Sequence, residues 1–125
     1  MNVVDSSAWL EYFANGPNAS VFAKPIEDAQ WLVVPTLAIV EVLKRVLQQR
    51  TEGDALQVVA VMRQGIVIDL DTSIALRAAK LSVDHRLPMA DSVILATARA
   101  YDATLWTQDA DFKDLPGVQY RVQRS

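Results

Sequence analysis

The chain has 125 residues, a hydrophobic content of 51% and a formal net charge of −3, which is typical of one domain with a buried core. It has no cysteine and a single histidine, His85, which excludes disulfides, a thiol nucleophile, cysteine-ligated metal sites and a multi-histidine metal site. The acidic balance argues against capture of nucleic acid by a basic face, unless divalent cations add positive charge. No apolar run approaches the length of about 20 residues that spans a bilayer, and the N-terminus lacks a signal-peptide pattern. We therefore expect a cytoplasmic protein without a membrane partner.

Short apolar runs along the chain predict strands, and segments with apolar residues at helical spacing predict helices between them. The predicted strands are 1–4, 31–34, 66–68 and 104–107, with an edge strand at 118–122. The predicted helices are 6–14, 19–29, 36–49, 54–63, 71–84 and 88–101, the second weakened by Pro25. This alternation predicts an α/β fold, a mainly parallel sheet of four or five strands covered on both faces in three layers. We expect a single domain over residues 1–125.

Acidic residues stand where sites form in such a sheet, at the carboxyl ends of strands and the starts of helices. Asp5 ends the first strand, and Glu41 lies on the second turn of the helix that follows the second strand. Asp91 lies in the first turn of the helix before the fourth strand, and Asp109 comes two residues after that strand. Asp111 is close enough to be a fifth acid. We expect these side chains to converge on one edge of the sheet.

Carboxylates at close range raise one another's pKa values unless a counter-charge is present. A divalent cation ordinarily supplies that counter-charge, and an all-oxygen ligand set suits Mg²⁺ or Mn²⁺. Such an ion can activate water and neutralise charge on a phosphodiester. The pattern is therefore compatible with a metal site of the kind found in nucleases and polymerases.

Each acid also has a purely structural interpretation. Asp5 suits the N-cap of the first helix. Glu41 would pair with Lys44 or Arg45 if it lay on a solvated helix face. Asp91 would complement the helix dipole, and the acids after the fourth strand suit ordinary loop positions.

Four segments together resemble a known family. They read VVDSSAWL at 3–10, PTLAIVEV at 35–42, LPMADSVILATA at 87–98 and ATLWTQDADF at 103–112. In this order they resemble PIN domains and, among these, the VapC-type toxins of bacterial type II toxin–antitoxin pairs. The resemblance spans about residues 2–112, and its most specific part is the last two segments together.

This resemblance implies a PIN-like fold and an endoribonuclease that depends on Mg²⁺ or Mn²⁺ and cleaves RNA by metal-activated water. The catalytic and metal-binding quartet that it implies is Asp5, Glu41, Asp91 and Asp109. Asp111 matches less closely as a further ligand. Ser7 and Thr107 match small hydroxyl positions that support the pocket in the family.

The resemblance also implies partners. Related toxins form homodimers, and a cognate antitoxin binds each one, often directing a basic side chain towards the acidic pocket. RNA needs cations as well, and the candidates near the predicted edge are Lys44, Arg45, Arg86 and Lys113. An apolar stripe at Leu43, Val46 and Leu47 suits either the core or an antitoxin groove. The sequence leaves the RNA-binding residues, the RNA cleaved and the antitoxin open.

Two alternative functions do not require cleavage. A receiver-like phosphorylation switch also holds Mg²⁺ at the edge of an α/β sheet, and Asp69 follows a strand as its phosphorylated residue would. Against it, Ser6 and Ser7 stand where a second acid is expected, and no lysine follows the fourth strand. An RNA-binding scaffold with a PIN-like fold would be expected to have lost acids that this chain keeps.

Overall fold

A fully parallel five-stranded sheet forms the centre of the computed structural model, which describes residues 1–124. The strands are β1 (Asn2–Val4), β2 (Leu32–Pro35), β3 (Ile66–Ile68), β4 (Thr104–Thr107) and β5 (Val118–Tyr120). Their order in space is β3-β2-β1-β4-β5, so β1 is central and pairs with both β2 and β4. Val3 is opposite Val33 on one side and Leu105 on the other.

Within residues 1–124, six α-helices connect the strands and confirm the predicted α/β fold. They are α1 (Ser6–Phe13), α2 (Ala19–Ile26), α3 (Thr36–Gln49), α4 (Glu52–Met62), α5 (Thr72–His85) and α6 (Met89–Ala100). The chain builds the sheet outwards from β1 to β3, then returns to add β4 and β5 on the other side of β1. Because parallel crossovers are right-handed, this reversal places the helices on both faces of the sheet.

The core lies on both sides of β1, where apolar side chains of the helices meet the sheet. Trp9 of α1 is fully buried and stacks on Phe13, with ring centroids 5.7 Å apart. Helix α6 is buried throughout Ser92–Ala98 and contacts β1, β2 and β4. Its hydroxyls at Ser92 and Thr97 therefore donate to carbonyls of their own helix.

The structure differs from the sequence predictions at several element ends; most differ by one or two residues, such as the start of α4 at Glu52. Trp31 was predicted to open the second strand but lies in a short 3-10 turn and is 52% exposed. The second helix ends at Ile26 and not at 29, and Pro25 in its last turn lacks the amide proton that would donate to the carbonyl of Val21. The fifth strand ends at Tyr120 and not at 122. No helix among residues 1–124 is long and apolar enough to cross a membrane.

The start of β3 depends on a close backbone approach at Gly65. A Cβ atom there would lie 2.8 Å from the carbonyl oxygen of Leu32 and 2.8 Å from Cγ2 of Val34. We predict that Gly65→Ala lowers the free energy of unfolding by about 1–3 kcal/mol, because the strand pair must move apart. Urea denaturation followed by circular dichroism measures this.

Gly53→Ala is the matched control. Gly53 lies in α4, and a Cβ atom there would meet only Oγ1 of Thr51, at 3.6 Å. Alanine is the better helix former, so the control should be neutral or more stable by up to about 1 kcal/mol. Equal losses in the two variants would contradict the interpretation of Gly65 as a contact position.

Candidate metal centre

The sheet has one topological switch point, between β1 and β4, where the order of strand addition reverses. Open parallel sheets bind ligands in the crevice at the carboxyl ends of such strands. Asp5 follows β1 and Asp109 follows β4, so both lie at this crevice. Val4 is opposite Trp106 in the ladder, which brings the two strand ends level.

Asp5 is buried, with 3% of its surface exposed, and its carboxylate accepts three hydrogen bonds. Oδ1 accepts from Oγ of Ser7 at 2.7 Å and from the backbone amide of Ala8 at 3.1 Å. Oδ2 accepts from Oγ1 of Thr107 at 2.9 Å. The bond from Ala8 is an N-cap of α1, so Asp5 has both the structural role and the site position that the sequence suggested.

Burial raises the pKa of Asp5 to about 6, even though its three hydrogen bonds favour the charged form. The negative charge of Asp109 adds a smaller upward contribution. Asp5 is thus a buried carboxylate that forms no ion pair within residues 1–124, and a bound cation would favour its ionised form.

The four quartet acids line one pocket of about 270 Å³. Its walls come from α1, α3, α6 and the segment after β4. The lining residues are Asp5, Ser6, Ser7, Leu10, Glu41, Arg45, Asp91, Ile94 and Asp109. The fold therefore brings together acids separated by up to 104 positions, as the sequence predicted that strand and helix ends would.

Asp91, Asp109 and Asp111 form the tightest group, with one carboxylate oxygen from each within 4.8 Å of the others. The Asp111 backbone amide donates to Oδ1 of Asp109 at 2.9 Å, which orders this segment. Burial, the charge of Asp109 and the adjacent Asp111 carboxyl raise the pKa of Asp91 to about 8. Asp111, which the resemblance matched less closely as a ligand, thus lies beside Asp91 and Asp109 and is the exposed member of the group.

Glu41 lines the same pocket from α3 and receives a hydrogen bond from Ser6, whose Oγ is 2.6 Å from Oε1. It forms no ion pair with Lys44 or Arg45, the neighbours that a solvated-face interpretation required. Over residues 1–124, the only ion pair within 4.0 Å joins Lys80 and Asp84. None of the pocket acids therefore forms an ion pair with a side chain of residues 1–124.

The donor set fits Mg²⁺ or Mn²⁺. Every candidate ligand atom is a carboxylate oxygen, which hard divalent cations prefer. Two of the acids, Asp5 and Asp91, have raised pKa values because like charge and burial are uncompensated. Asp91, Asp109 and Asp111 are the group whose oxygens lie closest together, with Asp5 lining the same pocket.

Three residues that the sequence analysis did not select contribute to the surroundings of Asp5 and Glu41. Besides Ser6, these are the buried amides Asn18 and Gln108. Asn18 Nδ2 donates to Oε1 of Gln108 at 3.1 Å and to the carbonyl oxygen of Val122 at 3.0 Å. The Gln108 backbone amide donates to Oγ of Ser7 at 3.3 Å, which extends the network to Asp5. These partners are 90 to 104 positions apart, so no local pattern could have revealed them.

Other residues singled out from the sequence lie outside the pocket lining. Of the four candidate cations, only Arg45 lines it, whereas Lys44, Arg86 and Lys113 do not. Asp69, the acid on which the receiver-like alternative depends, follows the edge strand β3 and is also outside the lining. The central position of the acids at β1 and β4 therefore gives that alternative no support.

Comparisons with known proteins agree with this geometry. A family model for the PIN domain matches residues 3–118. Among solved structures, a toxin–antitoxin complex from Klebsiella pneumoniae is 20% identical, with a TM-score of 0.82 over 95% of this chain and 96% of that chain. VapBC2 from Rickettsia felis, bound to a DNA fragment from its promoter, is 12% identical, with a TM-score of 0.74 over 97% of each chain. VapC20 of Mycobacterium tuberculosis, a sarcin–ricin loop cleaving toxin, is 14% identical, with a TM-score of 0.73 over 90% and 92%. No curated protein matches the chain.

Thr107 links two of the acids, and its removal tests that link. Its hydroxyl donates to Asp5 and accepts from the backbone amide of Asp109 at 2.9 Å. We predict that Thr107→Val destabilises the protein by about 1–3 kcal/mol, because the buried Asp5 and the half-buried Asp109 each lose a hydrogen bond. Thr104→Val, on the same strand, is the control and should cost under about 0.5 kcal/mol. Similar losses for both, measured by thermal melting, would contradict this assignment.

The raised pKa values predict how stability depends on pH without metal. Between the ordinary pKa of 3.8 and about 8, the folded state holds the Asp91 proton more tightly than the unfolded state does. Its contribution to stability therefore falls as pH rises through that range. In EDTA, Asp91→Asn should flatten this fall and be about 1 kcal/mol more stable than wild type at pH 8.

Urea denaturation at pH 5, 6.5 and 8 measures that dependence. Asp69→Asn is the control, because Asp69 is an exposed acid outside the pocket and should keep the wild-type slope. If Asp91→Asn and wild type lose the same amount of stability between pH 5 and pH 8, repulsion between Asp91 and the other pocket acids is not the cause of the fall.

Proposed function

The chain belongs to the PIN domain family, and from that premise we propose that it is a single-domain cytoplasmic endoribonuclease that acts as the toxin of a bacterial toxin–antitoxin pair. The observation that carries the proposal is the convergence of Asp5, Glu41, Asp91 and Asp109 on one pocket with no neutralising ion pair among the described side chains. One of these acids, Asp5, is buried and the other three are half-buried, and carboxylates that are close together and partly removed from water are stabilised by a bound cation. The solved toxin structures of the same fold support the assignment.

Mg²⁺ or Mn²⁺ would be held by Asp91, Asp109 and Asp111, with Asp5 contributing from the same pocket. When bound, such an ion activates water and neutralises charge that develops on a phosphodiester. Thr107 and Ser7 keep the Asp5 carboxylate in one orientation, so it does not have to reorganise when the ligand binds.

Glu41 is the acid that we assign to water. Ser6 occupies its Oε1, and Oε2 has no hydrogen-bond partner in the part of the chain that the structure describes. Oε2 is therefore free to accept a hydrogen bond from a water molecule in the pocket and to receive its proton. The hydrogen bond from Ser6 restricts the orientation of this carboxylate.

An antitoxin and a second copy of the chain are the protein partners that we propose. A groove of about 380 Å³ between α1, α3 and α4 is lined by apolar side chains that include Leu10, Phe13 and Val46, and it suits the apolar face of an antitoxin helix. Toxin–antitoxin complexes among the solved relatives support that partner. The exposed Leu76 and Val83 of α5, at 70% and 79%, favour α5 as the homodimer surface.

Cleavage assays with single-acid variants test the proposed activity. We predict that wild type cleaves a total-RNA pool in Mg²⁺ and not in EDTA, and that Asp5→Asn and Asp91→Asn are each at least about 100-fold slower. Removing one carboxylate breaks the shared cation site, while asparagine keeps the size and shape of the side chain. In Asp5→Asn the amide NH2 cannot replace both accepting oxygens, so the folding of this variant is checked by thermal melting. Expression of wild type, and of neither variant, should arrest bacterial growth.

Asp69→Asn is the control and should cleave at the wild-type rate. Binding of Mn²⁺, followed by its effect on water-proton relaxation, separates loss of metal from loss of folding. Equal cleavage by wild type and Asp91→Asn would overturn the proposed function, and so would cleavage that persists in EDTA.

A further inference from the structure

Arg45 is the one cation among the residues that line the acidic pocket. It lies on α3 four positions after Glu41, on the same face of the helix. Its surroundings are otherwise four carboxylates, two hydroxyls and two apolar side chains. A phosphate group that enters this pocket therefore meets a single positively charged side chain.

The guanidinium of Arg45 is not engaged elsewhere. An arginine four positions after a glutamate commonly forms an ion pair with it on the helix surface. Here no carboxylate within residues 1–124 lies within 4.0 Å of Arg45, and Glu41 accepts from Ser6 instead. Arg45 is exposed and makes no hydrogen bond to a described residue, so its donors remain free for a ligand.

A nuclease with an acidic pocket must overcome repulsion between its carboxylates and the phosphate backbone. Divalent cations offset part of that repulsion and orient the oxygens that they bind directly. A guanidinium adds two parallel N–H donors whose spacing matches two phosphate oxygens. Arg45 supplies such donors on the wall formed by Glu41.

We propose that Arg45 binds a phosphate group of the RNA backbone at the pocket and so positions the strand for cleavage. This inference rests on the proposed ribonuclease function. Lys44 differs from Arg45 by one position on α3 and does not line the pocket, so it serves as a matched control. Both are exposed, and replacing either leaves the core of α3 intact.

The test compares Arg45→Ala, Arg45→Lys and Lys44→Ala with wild type, using a fluorescein-labelled RNA of mixed sequence in Mn²⁺. We expect Arg45→Ala to lower kcat/KM about 10- to 100-fold and Arg45→Lys to recover part of the loss. Lys44→Ala should stay within about twofold of wild type. Mn²⁺ affinity and the melting temperature should be unchanged in all three variants.

Salt dependence distinguishes a phosphate contact from a structural effect. Loss of one contact to a single strand should reduce the slope of log(kcat/KM) against log[KCl] by about 0.7 in magnitude. Arg45→Ala should show that reduction, and Lys44→Ala should keep the wild-type slope. An unchanged slope, or a loss of Mn²⁺ affinity that matches the loss of cleavage, overturns the proposal.

The two proposals fail in different ways. If wild type cleaves RNA and Arg45→Ala cleaves equally well, only the role of Arg45 is wrong. If wild type binds RNA without cleaving it, the ribonuclease proposal is wrong. RNA affinity is then measured in place of cleavage, for the same variants and at the same salt concentrations. If wild type neither cleaves nor binds RNA, both proposals are wrong.

Discussion

This site depends on one constraint, a buried carboxylate that forms no ion pair with a side chain of residues 1–124. Asp5 ends the central strand, and three hydrogen-bond donors compensate only part of the cost of removing its charge from water. Asp109 and Asp91 lie near enough to repel it, so a bound cation would favour the ionised form of these acids. The same unfavourable charge that weakens the metal-free fold gives the pocket its capacity to bind a divalent ion.

Hydrogen bonds connect the pocket acids to residues that carry no carboxylate. Thr107 donates to Asp5 and accepts from the amide of Asp109, so one hydroxyl links the residues that follow β1 and β4. Through Ser7 and Gln108 the network reaches Asn18, which ties the C-terminal segment to the loop between α1 and α2. The order of the acidic pocket therefore depends on segments that carry no acid.

Local sequence patterns were sufficient for most of the fold. Apolar runs and helical spacing identified the strands and helices, and errors were confined to ends such as Trp31, whose large side chain is exposed in a turn. The convergence of Asp5, Glu41 and Asp91 also followed from the sequence, because parallel strands place their carboxyl ends on one edge. That rule specifies an edge of the sheet, and it gives no distances between side chains.

The sequence by itself determined the α/β class, the acidic edge and the resemblance to PIN domains, because each depends on local periodicity or on residues in linear order. Only the tertiary structure decided how the site is arranged. It joined Ser6 to Glu41, placed Asp111 beside Asp91 and selected Arg45 from four basic candidates. Those relations are distances between residues far apart in the chain, and they are set by strand order and helix packing, which local patterns do not encode.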